Sequence, residues 1–297
     1  MDISTEAYGS QRRRVVNQGI DFIRDHLGEP LQVNHIADHC CYSPHYFNRI
    51  FKWVTGRSVY GFIKQRRLEC AAFQLMKQPH LSVTRIAGDL GYSPSNFSVL
   101  FKSHYGCSPV QFRKAFRGQA GCLSRIWDGI RAMQQRPPEA LLQSLDRKAS
   151  IETLPQRHLA YQRFQGDFRE LGPAWRRFQA VVRPLVSTPR PRWYGISPDD
   201  PLICDAASFS YDFCVEIPGP GACPEHLNHR RIPGGSHLVV PFCGRPEDVY
   251  GFYSIVLGIY MPHRNLIPGR GVALESYGST CAVPGPLAMD LCIPLLF

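Results

Sequence analysis

The chain has 297 residues, more than one hydrophobic core usually serves, so two domains of about 100 to 150 residues are expected. Hydrophobic residues make up 44% and charged residues 20%, which is too apolar for a largely disordered chain. No run of about 18 apolar residues is present to cross a bilayer, so no membrane partner is expected.

Charge is unevenly distributed. Residues 1–118 carry 16 Lys+Arg against 8 Asp+Glu, residues 119–150 carry 5 against 3, and residues 151–297 carry 13 against 13. A basic first part followed by a neutral second part points to a polyanion met by the first part alone. The start, MDISTEAYGSQRRR, lacks an apolar stretch behind a basic one, so no secretory signal is expected and the chain is read as cytoplasmic. In that compartment the 11 cysteines read as reduced thiols, mostly packing as small hydrophobes. Cys223, His226 and His229 lack a fourth ligand, so neither a metal nor a cofactor is expected.

Set against itself at an offset of 50, the chain repeats: VNHIADHCCYSPHYFNRIFKWVTGRSVYGFIK from Val33 aligns with VTRIAGDLGYSPSNFSVLFKSHYGCSPVQFRK from Val83. Each copy reads as a short helix, a tight turn and a second helix. In the first copy Val33, Ile36 and Ala37 share one helical face, the turn runs through Cys40, Cys41 and Tyr42, Ser43 caps the next helix, and Pro44 takes its first position. Phe47, Ile50, Phe51 and Val54 recur at i, i+3, i+4 and i+7 and are assigned inward, which sends His45, Asn48, Arg49 and Lys52 outward. In the second copy Ile86, Ala87 and Leu90 precede the turn at Gly91–Tyr92, Ser93 is the cap, and Phe97, Leu100 and Phe101 face inward. Its outward set is Ser95, Asn96, Ser98, Val99 and Lys102. Gly91 suits a turn that needs positive φ; Cys41 in the first copy implies strain or a different geometry. Tyr60–Lys77 reads as a long helix holding the copies at a fixed separation. Arg66 and Arg67 on it either contact phosphates or pair with Glu69 and other acids. A polar second helix held at an angle by a packed first helix fits the DNA major groove.

These residues carry a resemblance. Ile20–Phe116, with YSPHYFNRIFKWVTG, the RRL at Arg66–Leu68 and GYSPSNFSVLFK, is similar to the DNA-binding domain of the AraC/XylS family of transcription regulators. That resemblance implies a monomer on double-stranded DNA, working with RNA polymerase, commonly as an activator, with its two reader helices in successive major grooves about 34 Å apart. It assigns base contact to His45, Asn48 and Arg49 in the first helix and to Ser95, Asn96 and Val99 in the second. Lys52 and Lys102 then serve as further DNA contacts, Lys102 mainly on phosphate. Arg49 suits guanine O6/N7. Where relatives commonly carry arginine this chain has Val99, which implies weaker reading by the second helix.

Residues 119–150 read as a linker with some helix. From residue 151 strands are predicted at Arg157–Phe164, Trp193–Ser197, Ala207–Ile217, His237–Phe242, Ala273–Tyr277 and Ala288–Pro294, with helices at Leu171–Val182 and Asp248–Ile259. Strand, helix, strand, strand occurring twice implies two α+β halves whose helices cover one side of a mainly antiparallel sheet. RRIPGGSHLVVPFCG (Arg230–Gly244), LESYG (Leu274–Gly278) and MDLCIPL (Met289–Leu295) resemble the gyrase-inhibitor-like effector domain of multidrug-response regulators. The fold class expected is therefore multidomain: an all-α double helix-turn-helix domain at 1–118, the linker, and an α+β antiparallel-sheet gyrase-inhibitor-like domain at 151–297. In that family a glutamate at the Glu275 position meets cationic, lipophilic ligands. Trp193, Tyr194, Tyr211, Phe242, Tyr253 and Tyr277 are the aromatic candidates around it, each able to add cation–π attraction of about 0.5–2 kcal/mol.

A ligand-responsive DNA-binding regulator is thus the leading reading. The rival makes the second domain a protein-contact or stability module, and a third makes it a small-molecule hydrolase. No Ser/His/Asp constellation, phosphate loop or H-E-x-x-H supports catalysis, so an enzyme is not expected.

Overall fold

The computed structural model describes residues 3–78, 81–115, 138–186, 188–199, 203, 209–269, 271–278 and 286–296. It divides into two compact units, Met1–Phe116 and Arg117–Phe297.

The first unit is helical: α1 (Ile3–Asp25), α2 (Val33–His39), α3 (Pro44–Thr55), α4 (Val59–Lys77), α5 (Val83–Asp89), α6 (Pro94–Tyr105) and α7 (Pro109–Ala115). The duplicated signals produce duplicated geometry. Ser43 accepts from Tyr46 N–H and Ser93 from Asn96 N–H, each at 3.4 Å, and a proline opens each helix. Each helix then ends on a left-handed glycine, Gly56 at φ 73° and Gly106 at φ 76°, whose N–H donates to Lys52 or Lys102 carbonyl oxygen at 2.8 Å. Phe47, Ile50 and Phe51 are buried with Ile20, Ile36 and Ile63 in the first core, and Phe97 and Phe101 are buried in the second copy. Leu100, expected inward, is only half-buried.

Cys41 takes the strained alternative that the repeat left open. Its φ is 59°, beside 75° at its counterpart Gly91. A left-handed backbone disfavours a residue with a Cβ by about 1–2 kcal/mol, and glycine forfeits about 0.5–1 kcal/mol in chain entropy. Cys41→Gly is therefore expected to stabilise the unit by about 0.5–1 kcal/mol. A urea midpoint that falls instead of rising would contradict this.

The second unit contains α8 (Glu139–Asp146), α9 (Leu171–Val182), α10 (Val249–Ile255) and strands β1 (Ser150–Leu154), β2 (Arg157–Gln165), β3 (Trp193–Ile196), β4 (Ser210–Ile217), β5 (Asn228–Ile232), β6 (Gly235–Gly244), β7 (Leu274–Gly278) and β8 (Leu287–Pro294). All pair antiparallel in one sheet, β1-β6-β8-β7-β3-β4-β2-β5. The two predicted halves are β2-α9-β3-β4 and β6-α10-β7-β8, joined where β3 pairs with β7. β1 crosses to β6 of the other half, and β5 crosses to β2.

Those crossings force the sheet to curl. Leu154 and Arg157 are separated by two residues and so by at most about 11 Å, whereas six strand spacings in a flat sheet amount to about 29 Å. The Ile232–Gly235 link imposes the same constraint. The links pack against each other: a Cβ at Gly234 would lie 2.7 Å from Gln156 N and 2.8 Å from Leu154 O. Curling buries the helix-free face, where Leu159, Tyr161, Tyr194, Ile196, Cys214 and Leu274 form a core. The other face packs under the helices around Phe178, Trp193, Phe213 and Val215.

Two strands and one helix end depart from expectation. β1 is exposed at Ser150–Thr153, and β5, NHRRI, has the polar Asn228 and Arg230 on its buried side, so neither shows an apolar pattern, and neither was predicted. The helix predicted at Asp248–Ile259 is α-helical only to Ile255 and continues as a π-helical turn, Val256–Tyr260. The linker expected at 119–150 enters the description only at α8 and β1. Ala207 and Ser208, the predicted start of β4, lie outside the described residues.

Candidate DNA-reading surface and buried carboxylate site

Cap and glycine stop fix the length of each reader helix, and its phenylalanines fix the rotation. His45, Asn48, Arg49 and Lys52 are all exposed along one side of α3, and Ser95, Asn96, Val99 and Lys102 along the matching side of α6. Arg49 lies with its guanidinium 5.1 Å from the Tyr46 ring centre, a contact that holds an exposed side chain in place. Asn48 also has structural work, because its Oδ1 accepts from Val59 N–H at 3.4 Å, at the first residue of α4. Val99 is 68% exposed, an apolar side chain left facing solvent on an otherwise polar strip.

Arg66 and Arg67 are engaged within the protein. Arg66 is buried, 2.9 Å from Glu69 and over the Phe62 ring. Arg67 donates from Nε to Leu27 O at 2.9 Å and from Nη2 to Glu29 O at 2.6 Å, and it lies 5.6 Å from the Tyr92 ring centre. That side chain, on α4, ties the α1–α2 turn to the turn of the second copy.

In the second unit Glu275 on β7 is 2% exposed. Tyr211 on β4 donates to its Oε2 at 2.5 Å, Tyr277 donates to the same oxygen, and Tyr253 on α10 donates to Oε1 at 2.9 Å. Burial pushes the Glu275 carboxyl upward, opposed by these three hydroxyls, while burial followed by the glutamate's charge holds Tyr211 and Tyr253 well above the usual tyrosine range. The result is a carboxylate held among aromatic rings with hydroxyl donors as its partners.

Of the aromatic candidates, Tyr211, Tyr253 and Tyr277 touch the carboxylate. Trp193 is buried in the same cluster as Tyr211, and Phe242 packs with Tyr253 and Tyr277 beside it. Tyr194 does not belong to the site. Successive strand residues face opposite sides, so with Trp193 under the helices Tyr194 falls inside the curl. There its hydroxyl accepts from Arg157 Nε and donates to Glu216 Oε2, each at 3.0 Å.

Two residues escaped the sequence reading. Trp175 on α9 is half-buried, with its ring 5.2 Å from Tyr277, 6.5 Å from Tyr211 and 6.4 Å from Trp193. It lies on α9, whereas the aromatic candidates of the sequence lie on strands and on α10. Gly195 is paired with Glu275 across β3 and β7, and a Cβ there would lie 1.7 Å from the Tyr211 hydroxyl. A glycine inside a strand is a signal of close approach that was available in WYGIS.

Of the three residues weighed for a metal, His229 instead contacts His158, with Nδ1 of His158 2.9 Å from Nε2 of His229. Among the described residues no group of three or more His, Cys, Asp or Glu side chains is gathered for a metal.

Comparison with known proteins agrees with this division. A helix-turn-helix domain family matches residues 36–115, and the GyrI-like small molecule binding domain family matches residues 147–296. The regulatory protein SoxS of Salmonella typhimurium is 32% identical over 102 residues, 34% of this chain and 94% of SoxS. The transcriptional regulator Rob of the same organism is 23% identical over 281 residues, 89% of this chain and 90% of Rob. The Msm operon regulatory protein of Streptococcus mutans is 36% identical over 110 residues, 37% of this chain and 39% of that protein, so the match spans well under half of that relative. With duplicated reader helices in its first unit and the GyrI-like domain matched over half its length, the chain belongs to the AraC family of DNA-binding transcription regulators with a GyrI-like effector domain.

Proposed function

We propose that the chain regulates transcription by binding duplex DNA through α3 and α6 and by binding a lipophilic cation at Glu275. The observation that carries the first part is the pair of capped helices with His45, Asn48, Arg49 and Lys52 on one open face and Ser95, Asn96, Val99 and Lys102 on the other. Arg49 reads a guanine edge, Lys52 and Lys102 hold phosphate, and Val99 offers a thymine methyl only apolar contact. The protein acts as a monomer on its site and in concert with RNA polymerase.

Arg49→Ala is expected to lose about 1–3 kcal/mol on the specific site and to relax preference at one base pair. Lys102→Ala is expected to weaken every sequence alike and to flatten the salt dependence of binding by about one phosphate contact. Fluorescence anisotropy on specific and scrambled duplexes over a salt series separates the two, and equal losses on both duplexes for both variants would refute the assignment.

The second part rests on the burial of Glu275 beneath tyrosine rings. A dry anion is costly without positive charge nearby, and a cation lying on Tyr253, Tyr277 and Trp175 supplies it. Glu275→Gln is expected to abolish thermal stabilisation by benzyltrimethylammonium or a bulkier lipophilic cation while leaving duplex affinity in the absence of ligand unchanged. A cation at 100 times its Kd stabilises the native unit by about 2.7 kcal/mol, so the lost shift is readily measured. An undiminished shift in the variant would favour the second domain as a protein-contact module.

A further inference from the structure

Glu275 is nearly saturated before any ligand arrives. An ionised carboxylate offers about four acceptor positions. Three are taken, two on Oε2 by Tyr211 and Tyr277 and one on Oε1 by Tyr253, and the Tyr211 and Tyr277 hydroxyls are themselves 2.9 Å apart. A primary ammonium ion brings three N–H groups to the one carboxylate position still open, so the others have to displace a hydroxyl, settle for a hydroxyl oxygen as acceptor, or go unmade in a buried site, where an unmade donor is penalised. A cation whose charge is shielded by carbon brings no donors and needs only charge and aromatic faces.

What admits the Tyr211 hydroxyl is the absence of a side chain on β3. Gly195 lies directly opposite Glu275 in the sheet, and a Cβ built on it would be 1.7 Å from Tyr211 Oη, 2.6 Å from Tyr211 Cζ and 3.0 Å from Glu275 Oε2. Tyr211 is 4% exposed and its ring is held by Trp175 and Phe213, so it cannot swing aside without disturbing the layer under the helices. A residue of any other type at 195 would take the space of the hydroxyl. The missing Cβ and the filled carboxylate are thus one arrangement.

We propose that Gly195 is a specificity-determining positioning residue: by admitting the Tyr211 hydroxyl to Glu275 it makes the site select permanently charged cations without N–H donors over primary ammonium ions of the same apolar bulk. This rests on Glu275 being the cation site, and the measurement separates failure of the two ideas.

The test is calorimetric titration of the full chain with benzyltrimethylammonium and with benzylammonium at neutral pH, reporting the ratio of their Kd values. The trimethylated ion is expected to bind at least about tenfold more tightly to the unaltered protein, the size of one charge-assisted hydrogen bond foregone. Tyr211→Ala, which removes the hydroxyl without adding bulk, is expected to bring the ratio close to one by improving benzylammonium binding. Gly195→Ala is expected to shift the ratio the same way. In the Tyr211→Ala background Gly195→Ala is expected to change the ratio no further, since its effect runs through the displaced hydroxyl. A merely structural glycine would lower affinity for both ions in proportion and leave the ratio alone.

An unchanged ratio in Tyr211→Ala overturns the proposal even if Gly195→Ala fails to fold. Independent, multiplying shifts from the two positions overturn it as well. If both ions bind the unaltered protein and Glu275→Gln equally, the cation reading itself falls and takes this inference with it.

Discussion

Replacing Asp212 with alanine is expected to destabilise the second unit by about 3–5 kcal/mol. Asp212 accepts two hydrogen bonds from the Arg163 guanidinium, at 2.7 Å each, and the two side chains are 0% and 2% exposed. The guanidinium also lies 5.4 Å from the Tyr161 ring centre. Removing the carboxylate leaves a charge in a dry interior, which costs far more than the pair itself contributes. The pair sits inside the curl on β2 and β4, on the face opposite Tyr211, and clamps the strand that delivers Tyr211 to Glu275. Asp212→Asn, which keeps the shape and one acceptor, is expected to lose less. Replacing both partners by apolar residues of similar volume should recover most of the loss. Urea denaturation followed by tryptophan fluorescence checks the series, and a loss under about 1 kcal/mol for Asp212→Ala would mean that water reaches the guanidinium.

Phe47→Ala is expected to lose about 3–5 kcal/mol in the first unit, through the transfer of a buried ring and the cavity left behind. Phe47 is fully buried, 5.6 Å from the Phe51 ring centre, and lies where α1 comes so close that a Cβ at Gly19 would be 2.4 Å from Phe47 Cζ. No neighbouring side chain can refill that space without moving a helix. Phe97→Ala removes the equivalent fully buried ring from the second copy, 5.4 Å from the Phe101 ring centre, and is expected to destabilise comparably. Their effects on DNA should differ. Because Arg49 lies on α3 and Val99 on α6, loosening α3 should remove most sequence preference, while loosening α6 should lower affinity and leave preference at the first reader's base pairs. Calorimetric unfolding together with competition binding reads both, and indistinguishable DNA profiles for the two variants would deny the readers separate roles.

Much of the architecture was legible because its signals are local. The cap serine, the proline after it, the phenylalanines at helical spacing and the glycine stop recur fifty residues apart, and the helix Leu171–Val182 has the limits its apolar spacing implies. β1 and β5 were illegible for the opposite reason. Both are held by pairing with the other half of the sheet; β1 leaves Ser150–Thr153 exposed, and β5 turns the polar Asn228 and Arg230 to its buried side, so neither carries an apolar stripe.

By itself the sequence determined the number of reader helices, the faces they expose and the basic character of one unit. Those properties depend on spacing within a dozen residues or on composition. Only the tertiary structure decided which rings surround Glu275, that Tyr194 turns away while Trp175 comes in from α9, and that Gly195 makes room for Tyr211. Tyr211 and Glu275 are 64 positions apart, and their meeting depends on register across β4, β3 and β7, which is set by the packing of the whole curled sheet.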